Sequence, residues 1–201
     1  MRACKKMNRR GFTLVELMIV VAIIGVLAAL AIYGVRRYLA SAKTGEAKNT
    51  IGAISRGASA AYERETSQAE TVAEGAMSKD RAHDLCGTAK TVPGTVPPGR
   101  KYQPVTTENK DFETGDTLTG WKCLKFGLTQ PVYYQYSYTK AGSPAAPNNP
   151  AKCSAECYEA GAVGDLDGDG NFSRFARTGH INTANRQLKA STQVFVENEF
   201  E

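Results

Sequence analysis

Between Phe12 and Val35 the chain runs for 24 residues with a single charged side chain, Glu16, and almost nothing else that is polar. As a helix such a run is about 36 Å long at about 1.5 Å per residue, against a hydrocarbon core of about 30 Å. It is long enough to cross a membrane. The eleven residues before it hold Arg2, Lys5, Lys6, Arg9 and Arg10 and no acid. Positive charge stays on the cytoplasmic side, so this arrangement sends the rest of the chain outward. Arg36 and Arg37 on the far flank oppose that bias with a smaller cluster.

The formal charge of +5 is therefore local. Outside the first eleven residues, the remaining 20 basic side chains balance the 20 acidic ones. No global field is left to attract nucleic acid or an anionic partner. The cysteines divide the same way, with Cys4 in the leader and Cys86, Cys123, Cys153 and Cys157 downstream. An even set in an exported chain reads as two disulfides. A zinc site is the alternative, but these are not zinc-ribbon spacings.

Three readings of the apolar run compete. A secretory signal peptide would have this basic start and small residues such as Ala40-Ser41-Ala42 for cleavage, but its apolar stretch is shorter. An ordinary membrane anchor is the second. Neither explains Glu16, because a carboxylate near the start of a span is costly and marks function. The third reading starts from Arg9-Arg10-Gly11-Phe12-Thr13-Leu14-Val15-Glu16-Leu17. This segment resembles the class III leader junction of type IV pilins and pseudopilins. The resemblance implies cleavage between Gly11 and Phe12 by a membrane prepilin peptidase, and N-methylation of Phe12. It also implies that the apolar run survives in the mature subunit.

Cleavage would create an amine on Phe12, largely cationic at neutral pH from an unperturbed pKa of about 7.7–8. Glu16 then has two candidate roles in assembly. It can pair with the Phe12 amine of a neighbouring subunit, which would penalise docking in the wrong register, or it can cap the start of its own helix. Many pilins have proline where Tyr33 stands. Here Gly25 and Gly34 are the residues on which any loosening of the helix would rely.

Helical periodicity continues past Val35. Tyr38, Ala42, Ile51, Ile54, Ala58, Ala61 and Tyr62 form one apolar stripe among charged neighbours. One helix from Phe12 to about Arg64 is predicted, apolar all round in its first half and amphipathic in its second. Residues 65–120 read as a connector containing the turn-rich Thr91–Gly99 stretch. Strands are predicted at Trp121–Leu128, Pro131–Thr139, Cys157–Val163, Phe172–Arg177 and Gln193–Phe200. In the second of these, Val132, Tyr134, Tyr136 and Tyr138 share one face. They suit a core, or alternatively a surface that binds sugars or bases. The disulfides are read as Cys86–Cys123 and Cys153–Cys157, one of three pairings that four cysteines allow. The first would tie the connector to the first predicted strand.

Asp165, Asp167, Asp169 and Asn171 fit the front of an EF-hand calcium loop, with Gly170 at the sharp turn. The acidic residue expected at the twelfth position is Ala176. The two readings are an Asp/Gly turn that requires no cofactor and a calcium site. His83 and His180 are the only histidines, and no nucleophile motif accompanies them. No enzyme activity is expected.

The whole pattern resembles the type IVa major pilins, especially those of gliding myxobacteria. The resemblance implies an α+β pilin fold, its helix projecting an apolar half and packing an amphipathic half on a four- to five-stranded antiparallel sheet. It divides the chain into a removed leader (1–11), a transmembrane and assembly half (12–35), an amphipathic half (36–64), a variable connector (65–120) and a sheet region (121–201). It implies a subunit that resides in the inner membrane and then in an extracellular, retractable fibre for twitching or social gliding, adhesion and cell–cell cohesion. The implied partners are further copies of itself, the prepilin peptidase, a platform protein with extension and retraction ATPases, and an outer-membrane secretin. Surface polysaccharide is a further candidate partner, and specific nucleic acid is not expected. The alternatives are a minor pilin or type II secretion pseudopilin, and a membrane-anchored binding domain.

Overall fold

The computed structural model describes residues 11–64, 74–75 and 83–201. Most of the expected leader, including Cys4, and part of the expected connector lie outside the described residues. The chain divides into two compact units, one ending at Ser41 and one spanning Ala42–Glu201.

Helix α1, Leu14–Glu63, is unbroken and passes through both units. From Leu14 to Val35 its residues are leucine, isoleucine, valine, alanine and methionine except at Glu16, Gly25, Tyr33 and Gly34, and all residues from 11 to 39 are exposed. A helix apolar on every side has no single face to bury against a partner element. In the second unit the same helix becomes two-sided. Ala47, Ile51, Ile54, Ala58, Ala61 and Tyr62 are buried, and polar residues occupy the other side.

The sheet that receives this stripe has six strands: β1 (Ala89–Val92), β2 (Gln135–Lys140), β3 (Cys157–Gly164), β4 (Ser173–Ile181), β5 (Leu188–Ala190) and β6 (Phe195–Glu197). They run antiparallel in the order β1-β2-β3-β4-β5. The first half of β4 pairs with β6 and the second half with β5. Small residues alternate with large ones where helix meets sheet. Ala160 and Ala162 of β3 leave room for Tyr134, Tyr136, Tyr138 and Tyr158, all fully buried. Tyr158 and Ser55 share a buried hydroxyl–hydroxyl hydrogen bond of 2.7 Å, which joins helix to sheet. Strand β2 begins at Gln135 rather than at the predicted Pro131, and of the two roles open to the tyrosine row from Tyr134 to Tyr138 this structure gives it the core.

The predicted architecture of helix plus antiparallel sheet is present, with corrections. The Trp121–Leu128 segment is not a strand. Gly120–Leu124 forms a short helix, α2, which Lys125 ends in the left-handed conformation. Its apolar residues fit both a strand and a short helix, and such a run is ambiguous until tertiary contacts decide. Here Trp121 is buried against Phe112 and Phe126, and its ring N–H donates to the Lys90 carbonyl at 2.8 Å. The sheet has six strands rather than four or five, because β1 and β5 join it. Strand β1 falls inside the predicted connector. Strand β4 runs on to Ile181, beyond its predicted end at Arg177, and the last strand is shorter than predicted.

Candidate assembly and processing site

The junction is built from three consecutive features. Gly11, Phe12 and Thr13 precede the helix and are exposed, and nothing stands within 4 Å of where a Gly11 side chain would be. Helix α1 starts at Leu14, so Thr13 is its N-cap. Thr13 and Glu16 then bond reciprocally. The Glu16 N–H donates to Thr13 Oγ1 at 3.3 Å, while Glu16 Oε2 accepts the Thr13 N–H at 2.8 Å and its hydroxyl at 2.7 Å. This is a capping box, which satisfies amides that the first turn of a helix cannot pair internally.

Sequence reasoning considered Glu16 as a cap but overlooked Thr13, although the Thr-x-x-Glu spacing carries that signal. Capping also does not exhaust Glu16. Both bonds fall on Oε2, and Oε1 has no hydrogen-bond partner among the described residues. One oxygen is free to meet a cation while the other holds the helix start.

Beyond this junction, large apolar side chains surround the helix without a gap. Leu14, Val15, Leu17, Met18, Ile19, Val20, Val21, Ile23 and Ile24 all stand more than half or half exposed. Helix α1 is long and apolar enough in this half to cross a membrane. A surface of this kind is stable only in lipid or against other apolar surfaces.

Residues 6–32 match the family described as a prokaryotic N-terminal methylation motif. The chain is 36% identical over 103 residues to a fimbrial protein of Pseudomonas aeruginosa, covering 51% of this chain and 62% of that one. It is 55% identical over 47 residues to the type IV major pilin protein PilA of Myxococcus xanthus, covering 23% of this chain and 21% of that one. Fimbrial protein EcpC of Eikenella corrodens is 51% identical over 47 residues, 23% of this chain and 31% of its own. In its N-terminal motif and in its long helix packed on an antiparallel sheet the chain is similar to the type IV pilins. The chain spans less than two thirds of the length of each of these relatives. No solved structure matches it.

The remaining candidate residues lie in the second unit. Cys86 is bonded to Cys123, and Cys153 to Cys157. The first disulfide fastens the segment before β1 to α2, not to a strand. The second closes a short loop at the start of β3. Residues just before that loop cover the outer face of β3, where Ala145 lies so close to Gly161 that an added side chain there would meet it at 2.2 Å.

Asp165, Asp167, Asp169 and Asn171 form the turn between β3 and β4. Asp165 accepts the Gly168 and Gly170 N–H groups at 2.6 and 3.2 Å. Asp169 accepts the Asn171 N–H at 2.8 Å and its amide at 2.7 Å, and these bonds hold its carboxyl below the usual range. Gly168 and Gly170 supply the two positive φ angles of the turn. The three aspartates each have an oxygen within 4.8 Å of the others. Their donor set nonetheless falls short of an EF-hand's. Asp165 already gives both oxygens to loop amides, and Ala176 at the twelfth position is buried in β4 with no oxygen to offer.

Proposed function

We propose that this pilin is the major structural subunit of a retractable type IV pilus used in twitching or social gliding motility, surface adhesion and cell–cell cohesion. In this reading the peptidase cleaves between Gly11 and Phe12, and Phe12 is then N-methylated. The subunit waits in the inner membrane through residues 12–35, and the platform protein and extension ATPase move it into a fibre that leaves through the secretin. Retraction reverses the step.

The observation that carries this reading is the exposed, all-round apolar half of α1 with Glu16 at its start. One surface serves in lipid and in a bundle of identical helices, so transfer between them needs no refolding. Glu16 Oε1, free of the cap, is the atom offered to the Phe12 amine of the next subunit. Leaving one partner of such a buried pair unmatched costs about 3–5 kcal/mol, enough to reject wrong registers. The Asp165–Asn171 run serves this subunit as a turn that requires no ion.

Mass spectrometry of sheared fibres tests the proposal. Fibres made mostly of this chain, beginning at N-methylated Phe12, are expected. Assembled chain that still begins at Met1 refutes it, and fibres in which this chain is a trace component favour the minor pilin or pseudopilin.

A further inference from the structure

The face of the sheet turned away from α1 carries a cavity of about 210 Å³ beside the segment that covers β3. Alternation along β2 puts Tyr134, Tyr136 and Tyr138 on the helix side, so Gln135 and Ser137 belong to the other face. In the antiparallel register Gln135 stands opposite Val163, and Val163 opposite Arg174. The three make one row across β2, β3 and β4, about 10 Å from end to end, and all of them line the cavity. Ser137 lines it from the next row, with Ala145 of the cover and the half-buried ring of Phe172 as walls.

The polar groups of this cavity are held in place but not used up. Gln135 Nε2 donates to the Pro93 carbonyl at 2.9 Å, which fixes the amide and leaves Oε1 as an acceptor. Arg174 Nη1 donates to the Ala145 carbonyl at 3.1 Å, which leaves further guanidinium N–H groups. Ser137 is only 7% exposed, and its hydroxyl has no hydrogen-bond partner among the described residues. The hydroxyl lies 2.9 Å from the point where a Gly161 side chain would begin, so the glycine leaves it open to the cavity. A hydroxyl this buried and unpaired costs stability until a guest completes it.

The chemistry of the guest follows from the three groups together. One only accepts, one only donates, and the serine does either. Hydroxyl groups on the guest satisfy all three. The row places its acceptor and its donor about 10 Å apart with Val163 between them, so they surround a ring rather than line one edge of a planar base. Val163 and Phe172 then meet the C–H groups of that ring. The volume is below the about 300–1,000 Å³ of sites for drug-sized ligands, which limits the guest to one ring. Among the described residues lining the cavity only Arg174 is charged, and Glu197 stands opposite it in the β4–β6 register. No net positive charge is left to select an anion.

We propose that Gln135, Ser137, Arg174 and Phe172 bind one neutral sugar ring, free or at the end of a glycan chain. The site gives the adhesion proposed above a class of ligand, and its use rests on that reading. Its residues all belong to the second unit, so binding itself needs no fibre.

The test is saturation-transfer difference NMR on the mature full chain in a detergent without sugar groups. The probes are glucose, galactose, mannose and N-acetylglucosamine with their disaccharides, and glucuronic acid and adenosine for comparison. Transfer to at least one neutral sugar is expected. Ser137→Ala and Phe172→Ala should each weaken it about fivefold, the loss of one hydrogen bond or one ring contact. Thr91 is exposed at the cavity wall, so Thr91→Trp should block binding without touching the core. A disaccharide that receives saturation in one terminal ring identifies a glycan end, and rejection of every disaccharide identifies a free sugar. Saturation spread evenly over both rings overturns the one-ring site. No transfer to any neutral sugar overturns the proposal, as do undiminished transfer in all three variants, stronger transfer to glucuronic acid, or transfer to adenosine alone. Fibre yield separates the two levels of the reasoning. Normal fibres without sugar binding refute only the site, whereas sugar binding by a chain never found in fibres refutes only the adhesive pilus.

Discussion

Glu16 allows helix capping to be separated from the proposed subunit pairing, because the cap uses Oε2 and leaves Oε1 unbonded. Three substitutions divide them. Thr13→Ala removes the reciprocal cap and keeps the charge. Glu16→Gln keeps an acceptor for the Thr13 N–H at Oε1 and removes the charge. Glu16→Ala removes both. Losing an N-cap costs about 0.5–2 kcal/mol, and only locally. Leaving a Phe12 amine unpaired inside an apolar bundle costs about 3–5 kcal/mol. At about 1.4 kcal/mol per tenfold, that is roughly two to three and a half orders of magnitude in the assembly equilibrium. The expected order is therefore near-normal fibres for Thr13→Ala and a severe loss for both Glu16 variants. Sheared surface fibre is measured against processed subunit in the membrane fraction, and the terminus of the latter shows whether the leader was removed. Wild-type fibre yield from Glu16→Gln, with Thr13→Ala as poor as Glu16→Ala, would refute pairing and leave Glu16 as a cap alone.

Three further outcomes follow from the second unit. In the chain-entropy treatment the 37-residue closure by Cys86–Cys123 stabilises by about 4 kcal/mol and the 4-residue closure by Cys153–Cys157 by about 2. Replacing the first pair with alanine should lower the Tm of the detergent-solubilised mature chain about twice as far as replacing the second, and the reverse order would contradict the closure argument. Glu159 is fully buried on β3, accepts the Ala145 N–H at 2.9 Å, and has a second oxygen without a partner. Burial raises its pKa above the ordinary 4.5, opposed by the Ala145 hydrogen bond and by the nearby Ser143 hydroxyl and Ala146 N–H. A carboxyl raised on folding contributes stability below its unfolded pKa and loses it as pH rises through the folded one. Wild-type stability should therefore fall as pH climbs from 4.5, and Glu159→Gln should flatten that slope in pH-dependent denaturant melts; identical slopes would remove Glu159 from the account. Millimolar calcium or EDTA should leave Tm unchanged, whereas a calcium-dependent rise abolished by Asp167→Asn would establish an ion in the turn.

Legibility in the sequence followed the range of the interactions involved. The capping box was present in the Thr13-x-x-Glu16 spacing and needed only to be read. Strands β3 and β4 were visible because each is long enough to show its pattern. Strands β1 and β5 have four and three residues, too few to display a period, and they become strands only because β2 and β4 offer free edges. For α2 the deciding contacts are with Phe112 and the Lys90 carbonyl, 9 and 31 positions before Trp121. No local rule reaches that far. Glu159 reads as an ordinary strand polar residue until the covering loop shuts water away from it.

The amino-acid order alone determined the N-terminal motif and the apolar half of α1, since a helix that is greasy on every side needs only its own backbone bonds and an apolar surrounding. Tertiary structure decided which side of the second half is buried, where Cys86 finds Cys123, and that Gln135 and Arg174 line one cavity. Those outcomes depend on residues far apart in the chain, brought together by burial of the tyrosine and alanine layers between helix and sheet, and no short window of sequence contains them.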